Sequence, residues 1–142
     1  MSLGGLIHGR LVHPHRVEVL VDHLVRLVPR GARVLDVGAG HGLVAATLSE
    51  QRPDLDVSAV DVLVRPGTRV PVERFDGKAL PHPDGRFDAT ILVDVLHHSD
   101  QPVELLREAA RVSRGLVIVK DHVLEGRLAG PTLRFMERLG NL

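Results

Sequence analysis

The sequence predicts an α/β protein with one parallel β-sheet covered by helices on both faces. Two observations lead to this fold class. Short apolar runs alternate along the chain with segments of helical periodicity, and the runs are apolar at successive positions, as in strands buried on both faces. The chain has 142 residues, of which 44% are hydrophobic. This length and composition fit a single domain, residues 1–142, with a substantial core.

The first predicted element is a helix over residues 15–28, within an N-terminal helical segment of residues 1–30. Apolar side chains recur there on one helical face. Pro14 suits the first helical position, and Pro29 with Gly31 ends the run.

A strand, a glycine-rich turn and a second helix come next. Residues 33–37 form a short run of branched apolar side chains, which predicts a buried strand. The run stops at the turn GAGHG, residues 38–42, and a helix is predicted from there to about Glu50. Four side chains of this helix are predicted to face inward: Leu43, Val44, Thr47 and Leu48.

The second and third strands are predicted at residues 56–61 and 69–75. The third is weaker because it contains Pro71, which lacks a backbone donor and therefore belongs at the edge of a sheet. Between the two strands, Pro66-Gly67 excludes a regular helix.

The fourth strand is predicted at residues 87–93. Ser99 or Asp100 can cap the helix after it, which carries Pro102 near its start and runs to about Ser113.

The fifth strand is predicted at residues 115–120, and Pro131 opens a last helical piece toward Leu139 within a helical tail of residues 123–142. Because crossovers between parallel strands are right-handed, the expected strand order is 3-2-1-4-5 in a doubly wound sheet. The direction of winding changes between strands 1 and 4. Ligands of such sheets bind at that switch point, outside the carboxyl ends of the strands.

Composition excludes several classes of function. The chain has no cysteine, which removes disulfides, cysteine-based zinc sites and thiol nucleophiles. Its formal net charge is zero and only 2% of its residues are aromatic, so we expect no nucleic-acid partner. No apolar run is long enough to span a membrane, and the first residues do not resemble a signal peptide, so we expect a cytoplasmic location.

Polar and glycine residues follow the predicted strands at their carboxyl ends. Strand 1 leads into Gly38-x-Gly40-x-Gly42, which lacks the third glycine of a dinucleotide fingerprint because position 43 is Leu. Strand 2 ends in Asp61, about 20 residues further on, where a carboxylate can accept hydrogen bonds from ribose hydroxyls. Asp76-Gly77 follows strand 3, and Asp94 and His97-His98 follow strand 4.

Four segments in this order resemble the motifs of the class I S-adenosylmethionine-dependent methyltransferases, with a Rossmann-like fold. Within them the chain is most similar to the small-molecule branch of the ubiquinone and menaquinone biosynthesis type. The segments are VLDVGAGHG (34–42), SAVDVL (58–63), FDGKALPHPDGRFDATILVDVLHH (75–98) and LREAARVSRGLVIVKDH (106–122).

The resemblance implies S-adenosylmethionine as cofactor, bound by a core of residues 31–122. It places Asp61 on the ribose hydroxyls and Val62 against the adenine ring, with Asp76 and the Gly77 amide on the edge of the adenine. Around the methionine part it places a second group of residues: Asp36, Gly38, Ala39, Gly40, Val93 and Asp94.

The expected reaction is methyl transfer to a small-molecule acceptor, which includes lipid-like and quinone-type molecules. His97 and His98 are candidates for a general base, because histidine exchanges protons near neutral pH. The alternative is that VLHH is a packing and loop feature. No metal site is expected, because the pairs His13/His15 and His97/His98, even together with His122, lack a supporting carboxylate pattern.

The chain departs from the family after strand 5, because the family's final strands, the last of them antiparallel, are missing. Strand 5 would then present an apolar edge, for which we expect a partner, most simply a second copy in a homodimer. A different class of function is a cofactor-binding but catalytically incomplete module with a regulatory or assembly role. An NAD-linked reductase is a third hypothesis, against which the glycine spacing argues.

Overall fold

The structure is a computed structural model that describes the backbone of residues 3–122 and the side chains of residues 15–122. It contains one five-stranded sheet in the order β3-β2-β1-β4-β5, and every neighbouring pair of strands is parallel. The predicted fold class and strand order are therefore confirmed. The elements in chain order are α1 (Leu3–Leu27), β1 (Arg33–Val37), α2 (Leu43–Gln51), β2 (Asp56–Asp61), β3 (Glu73–Arg74), β4 (Phe87–Val93), a 3₁₀ turn (Leu96–His98), α3 (Pro102–Val112) and β5 (Ser113–Lys120).

Strands β1, β2 and β4 have the predicted bounds, whereas the first helix does not. It begins at Leu3, so Pro14 lies inside the helix and not at its first position. A proline removes one helical hydrogen bond but does not forbid a helix whose other residues favour it. The predicted helical piece from Pro131 to Leu139 lies outside the described residues.

The third strand is much shorter than predicted. Only Glu73 and Arg74 pair with β2, although a strand was expected over residues 69–75. Pro71 cannot donate to a ladder, and the strand has only one neighbour in the sheet, so little holds the flanking residues extended.

The two later helices differ from the prediction in one respect each, namely the N-cap of α3 and the buried face of α2. The N-cap of α3 is Gln101, so neither Ser99 nor Asp100 caps the helix; the Ser99 hydroxyl instead accepts a hydrogen bond from the Gln101 N–H at 3.2 Å. In α2 the buried side chains are Ala45 and Leu48. Leu48 is buried as predicted. The other three residues predicted to face inward are only half-buried, because the small Ala45 faces the sheet most closely; they are Leu43, Val44 and Thr47.

The sheet has an apolar layer on each face. Successive residues of a strand point to opposite faces, so Val34 packs with α1 and α2 while Leu35 and Val37 pack with α3. The first layer comprises Val21, Leu24, Val28, Ala32, Val34, Leu48 and Ile91. The second comprises Leu35, Val37, Val60, Phe75, Leu80, Phe87, Leu92, Leu105, Ala109 and Val112.

Strand β5 begins two residues earlier than predicted and contains an irregularity. Ser113 pairs with Phe87 and Leu116 with Ala89, so β5 has one extra residue at this point. The bulge presses Gly115 against β4, and a Cβ at this position would lie 2.6 Å from the carbonyl oxygen of Asp88. No residue of β5 is buried in the described part of the chain.

We expect Gly115→Ala to destabilise the protein by about 1–3 kcal/mol, because a methyl group would be forced against a backbone oxygen that cannot move alone. Urea unfolding measures this change. Without this close approach, replacing glycine with alanine would stabilise the protein by about 0.4–1 kcal/mol, because alanine reduces the conformational entropy of the unfolded chain. A variant as stable as the original protein, or more stable, would therefore contradict the close approach.

Candidate functional site

A cleft of about 630 Å³ lies at the carboxyl ends of the strands, at the switch point between β1 and β4. This volume suits a small-molecule ligand. The cleft is lined by residues that follow β1, β2, β3 and β4 and by the start of α3: Gly38, Gly40, Asp61, Val62, Arg65, Phe75, Asp76, Gly77, Lys78, Asp94, Val95, His98, Ser99, Asp100, Gln101 and Leu105.

The turn after β1 requires glycine for two reasons. Gly38, Gly40 and Gly42 have φ angles of +75°, +58° and +75°, which side chains disfavour. A Cβ on Gly38 would also lie 2.4 Å from the Val95 side chain, and one on Gly42 would lie 2.7 Å from that of Val70. At Gly40 the nearest atom would be 3.7 Å away, so the turn is open there. Gly40 therefore offers bare backbone to the cleft.

The backbone N–H groups of this turn are already paired. Those of Gly38 and Ala39 donate to the carbonyl oxygen of Val60, and that of Gly42 donates to the carbonyl of Ala39. The Gly40 N–H donates to a carboxylate oxygen of Asp61 at 2.7 Å. The hydrogen bonds thus join the turn to the end of β2.

The Asp61 carboxylate is held in place from both sides. One oxygen accepts from Gly40, and the other accepts from the Leu63 N–H at 2.9 Å. The Arg65 guanidinium lies 3.8 Å from the first oxygen. Asp61 is only 7% exposed, so its carboxylate is fixed at the wall of the cleft.

The loop after β3 brings Asp76 and Gly77 to the cleft. One oxygen of Asp76 accepts hydrogen bonds from the N–H groups of Lys78 and Ala79, and these bonds hold the pKa of this carboxyl below its usual value. Gly77 has a φ of +81°, and a Cβ there would lie 3.2 Å from the Val62 side chain. Val62 and Gly77 therefore form adjoining parts of the wall.

The same loop is anchored to helix α3. The Leu80 N–H donates to the Glu108 carboxylate at 2.8 Å, and the Arg111 guanidinium donates to the carbonyls of Leu80 and His82. The Arg111 guanidinium also bonds Glu108 and, by this bond, holds the pKa of that carboxyl below its usual value. This clamp fixes the far side of the cleft.

Asp94 has an unusual backbone conformation at the end of β4. Its φ of +55° is the only positive value at a non-glycine residue in the described part of the chain. Its N–H donates to the Lys120 carbonyl at 2.7 Å, and its carboxylate accepts from the Lys120 ammonium at 2.5 Å. Strain of this kind is typical of functional sites. It turns the chain sharply at the switch point.

Asp36 lies beneath the cleft and does not line it. It is 2% exposed, and one of its oxygens has no hydrogen-bond partner among the described residues. Burial raises the pKa of Asp36 to about 7. The negative charge of Asp61 also raises this pKa, whereas a hydrogen bond from the Ala45 backbone lowers it. Ala39 and Val93 are likewise absent from the cleft wall.

Of the two candidate bases, His98 lines the cleft and His97 does not. The His97 ring lies against that of His98, with 3.9 Å between centroids, and its Nδ1 is 2.5 Å from a carboxylate oxygen of Asp121. The other Asp121 oxygen accepts from the Leu96 N–H at 2.7 Å. Asp121 thus holds both the 3₁₀ turn and the His97 ring.

Asp121 remains charged in this position. Burial works to raise its pKa, but hydrogen bonds from the His122 N–H, the His97 ring and the Leu96 N–H outweigh burial and hold the pKa below its usual value. Sequence reasoning missed this residue. The signal that could have found it is an acid directly after the last predicted strand, at the same edge of the sheet as His97.

Eight of the predicted site residues therefore meet at one cleft: Gly38, Gly40, Asp61, Val62, Asp76, Gly77, Asp94 and His98. Arg65, Lys78 and the segment 99–101 also line it, although none of them was named as a site residue from the sequence. A fixed carboxylate beside a bare glycine turn, with an apolar side chain next to it, fits the ribose and base of a nucleoside. The fold and site together define a nucleoside-binding, doubly wound α/β domain.

Comparison with known proteins identifies the family. A family model described as a methyltransferase domain matches residues 12–136, which is most of the chain. The protein belongs to this family, the class I S-adenosylmethionine-dependent methyltransferases, as its motifs suggested. The family's cofactor is S-adenosylmethionine.

Individual relatives differ in what their names say they act on. The chain is 30% identical over 128 residues to the 27-O-demethylrifamycin SV methyltransferase of Amycolatopsis mediterranei, covering 78% of this chain and 47% of that protein. Shorter stretches match proteins named as release factor glutamine and ribosomal RNA methyltransferases. The chain thus spans about half the length of the first of these relatives and less of the others.

Solved structures share the fold. A Thermotoga maritima protein described as an S-adenosylmethionine-dependent methyltransferase, possibly acting on histamine, matches with a TM-score of 0.65 and 24% identity over 93% of this chain and 68% of that one. A [4+2]-cyclase, SpnF, matches with a TM-score of 0.66 and 26% identity over 75% of this chain and 45% of that one. Among the described residues, no helix has the length and apolar character needed to cross a bilayer.

The buried Asp36 makes a prediction about stability and pH. Its pKa is higher in the folded protein than the ordinary value of 3.8, so the folded state holds a proton that the unfolded chain has lost between about pH 4 and pH 7. Stability therefore falls as the pH rises through this window. Asp36→Asn removes the charge, and we expect its advantage over the original protein to grow between about pH 4 and pH 7, with ~4 kcal/mol as the upper limit.

Urea unfolding across this pH range measures the difference. Asp22→Asn is the matched control, because Asp22 is an exposed acid on α1 and its replacement should leave the pH dependence unchanged. Parallel stability curves for Asp36→Asn and the original protein would contradict the raised pKa.

Proposed function

We propose that this protein transfers a methyl group from S-adenosylmethionine to a small-molecule acceptor. The observation that carries the proposal is the Asp61 carboxylate, fixed on the Gly40 N–H beside a turn that is open at Gly40. This arrangement offers two carboxylate oxygens to the hydroxyls of a ribose and bare backbone to the chain that extends from it.

In this proposal the adenine ring packs on Val62, while the free oxygen of Asp76 and the Gly77 amide bind its edge. Val62 and Gly77 both line this part of the cleft, which supports this placement of the ring. The methionine part lies over Gly38, Ala39 and Gly40. Asp36 beneath the turn and Val93 with Asp94 at the end of β4 complete the surroundings of the methionine group.

S-adenosylmethionine supplies a methyl group that its sulfonium charge has already activated. The protein then has to align donor and acceptor, which can contribute roughly 7–11 kcal/mol to the lowering of the barrier. The acceptor would lie against the part of the cleft formed by His98, Gln101 and Leu105.

A small-molecule acceptor is supported by composition and by one relative. The chain has no net charge and few aromatic residues, which disfavours nucleic acid. The Amycolatopsis relative is named for an O-demethylated small molecule. Lipid-like and quinone-type molecules belong to the same class of acceptor.

The alternative is a module that binds the cofactor and does not transfer methyl groups. The likeness to a protein named as a cyclase supports it, because the same fold there carries a name for a different reaction. The chain also spans about half of the Amycolatopsis relative. With either function, we propose a homodimer in which the β5 strands of two copies pair, because no residue of β5 is buried in the described chain.

Asp61→Ala should weaken binding of S-adenosylmethionine and of S-adenosylhomocysteine by about 1–3 kcal/mol, because the ribose would lose its buried hydrogen-bond acceptor. Isothermal titration calorimetry measures both affinities. Asp56→Asn is the control, since Asp56 begins the same strand at its opposite, exposed end.

Unchanged affinity in Asp61→Ala would contradict this placement of the cofactor. NAD should not bind, because the N–H groups of Gly38, Ala39, Gly40 and Gly42 are paired within the protein and leave little for a pyrophosphate. Binding of NAD comparable to that of S-adenosylmethionine would revive the reductase hypothesis. Turnover with a panel of hydroxylated small molecules, measured as S-adenosylhomocysteine released, separates the enzyme from the binding module.

For an acceptor that must lose a proton, we propose His98 as the general base, because its side chain lines the cleft where the acceptor would lie. His97 is the second candidate. Asp121 orients its ring through Nδ1 at 2.5 Å, but its side chain does not line the cleft. The other interpretation is that Asp121 and His97 only hold the 3₁₀ turn together.

His98→Gln should lower kcat by about 10²–10⁴-fold and leave cofactor affinity unchanged, as measured by S-adenosylhomocysteine release and by calorimetry. An equal kcat in His98→Gln and the original protein would contradict this assignment. A large loss only in His97→Gln would move the base to His97. For His97→Gln and Asp121→Asn, a loss of thermal stability without a change in kcat would support the purely structural role.

A further inference from the structure

His97, Asp121 and His122 form a cluster at the carboxyl ends of β4 and β5. One nitrogen or oxygen atom from each side chain lies within 4.8 Å of those of the other two. The rings of His97 and His122 meet edge to face with 5.3 Å between centroids. No metal site was expected from the sequence, because the histidines lacked a supporting carboxylate pattern. Asp121 directly precedes His122 in the chain, and the fold brings it beside His97 as well.

The charges around the cluster favour a cation. Asp121 contributes a carboxylate to the cluster. Asp94 adds a second carboxylate 3.2 Å from Nδ1 of His122. The ammonium of Lys120 lies 2.5 Å from Asp94 and balances that charge. With neutral histidines, the group of five side chains has a net charge of −1.

The type of donor selects the type of ion. Two imidazoles with one carboxylate suit Zn²⁺ and other divalent first-row transition metals, whereas Mg²⁺ and Ca²⁺ prefer oxygen ligands throughout. Histidine ligands of metals are commonly held by a carboxylate at their second ring nitrogen. Asp94 lies 3.2 Å from Nδ1 of His122, within ion-pair distance, although the two atoms form no hydrogen bond.

We propose that His97, Asp121 and His122 bind a divalent transition metal ion. An ion on Nδ1 of His97 would replace the hydrogen bond between this ring and Asp121. Because the His97 ring lies against that of His98, with 3.9 Å between centroids, the ion would also shift the side chain that lines the cleft. Metal binding should therefore oppose methyl transfer.

Titration of the full-length protein with Zn²⁺, without cofactor or acceptor, tests the site directly. We expect one ion per chain by calorimetry, and visible absorption from Co²⁺ bound in the same place. His122→Ala and Asp121→Asn should each weaken binding by about tenfold or more. His23→Ala is the control, because His23 is an exposed histidine on α1, and its affinity should be unchanged.

Failure to bind one Zn²⁺ per chain would overturn the proposal. So would equal binding by His122→Ala and the original protein, or an equal loss in His23→Ala, which would indicate adventitious binding to surface histidines. These results are independent of methyl transfer, since neither cofactor nor acceptor is present. Where turnover has been established, Zn²⁺ should inhibit it and a chelator should restore it.

Discussion

The cleft depends on the hydrogen bond between the Gly40 N–H and the Asp61 carboxylate. The turn after β1 contains three glycines with left-handed backbones, and such a turn exposes N–H groups that need acceptors. Asp61 is a mostly buried carboxylate that needs donors. Each satisfies the other at 2.7 Å. Together with the hydrogen bonds from the Gly38 and Ala39 N–H groups to the Val60 carbonyl, this bond joins the turn to the end of β2, and it fixes the wall against which a ribose would lie.

Strands that are buried on both faces could be predicted from the sequence to the residue. β1, β2 and β4 each have a neighbour on both sides in the sheet, so most of their buried side chains are apolar, although β2 begins with exposed and half-buried residues. The site residues directly after these strands, Asp61 and Asp94, followed from the same logic. Their position depends only on where a strand ends and on the parallel order of the sheet.

Edges and contacts distant in sequence could not be predicted in this way. The length of β3 depends on pairing with a single neighbour, and the bulge in β5 depends on how Gly115 meets the backbone of Asp88. The partnership of Asp121 with His97 joins residues 24 positions apart, and no local pattern encodes it. A fifth strand ending in an acid is common to many sheets. Only the position of the neighbouring strand makes this acid a partner for a histidine.

The charge of the turn decides which ligands it can accept. Dinucleotide-binding turns offer their backbone N–H groups to a pyrophosphate, but here Val60, Asp61 and Ala39 accept the hydrogen bonds of those groups. Two carboxylates, Asp36 and Asp61, also lie close enough that the charge of Asp61 raises the pKa of Asp36. A pyrophosphate would add negative charge to this region. A ligand that carries a sulfonium and an ammonium group instead relieves the repulsion, so the electrostatics of the turn favour S-adenosylmethionine over NAD independently of the glycine spacing.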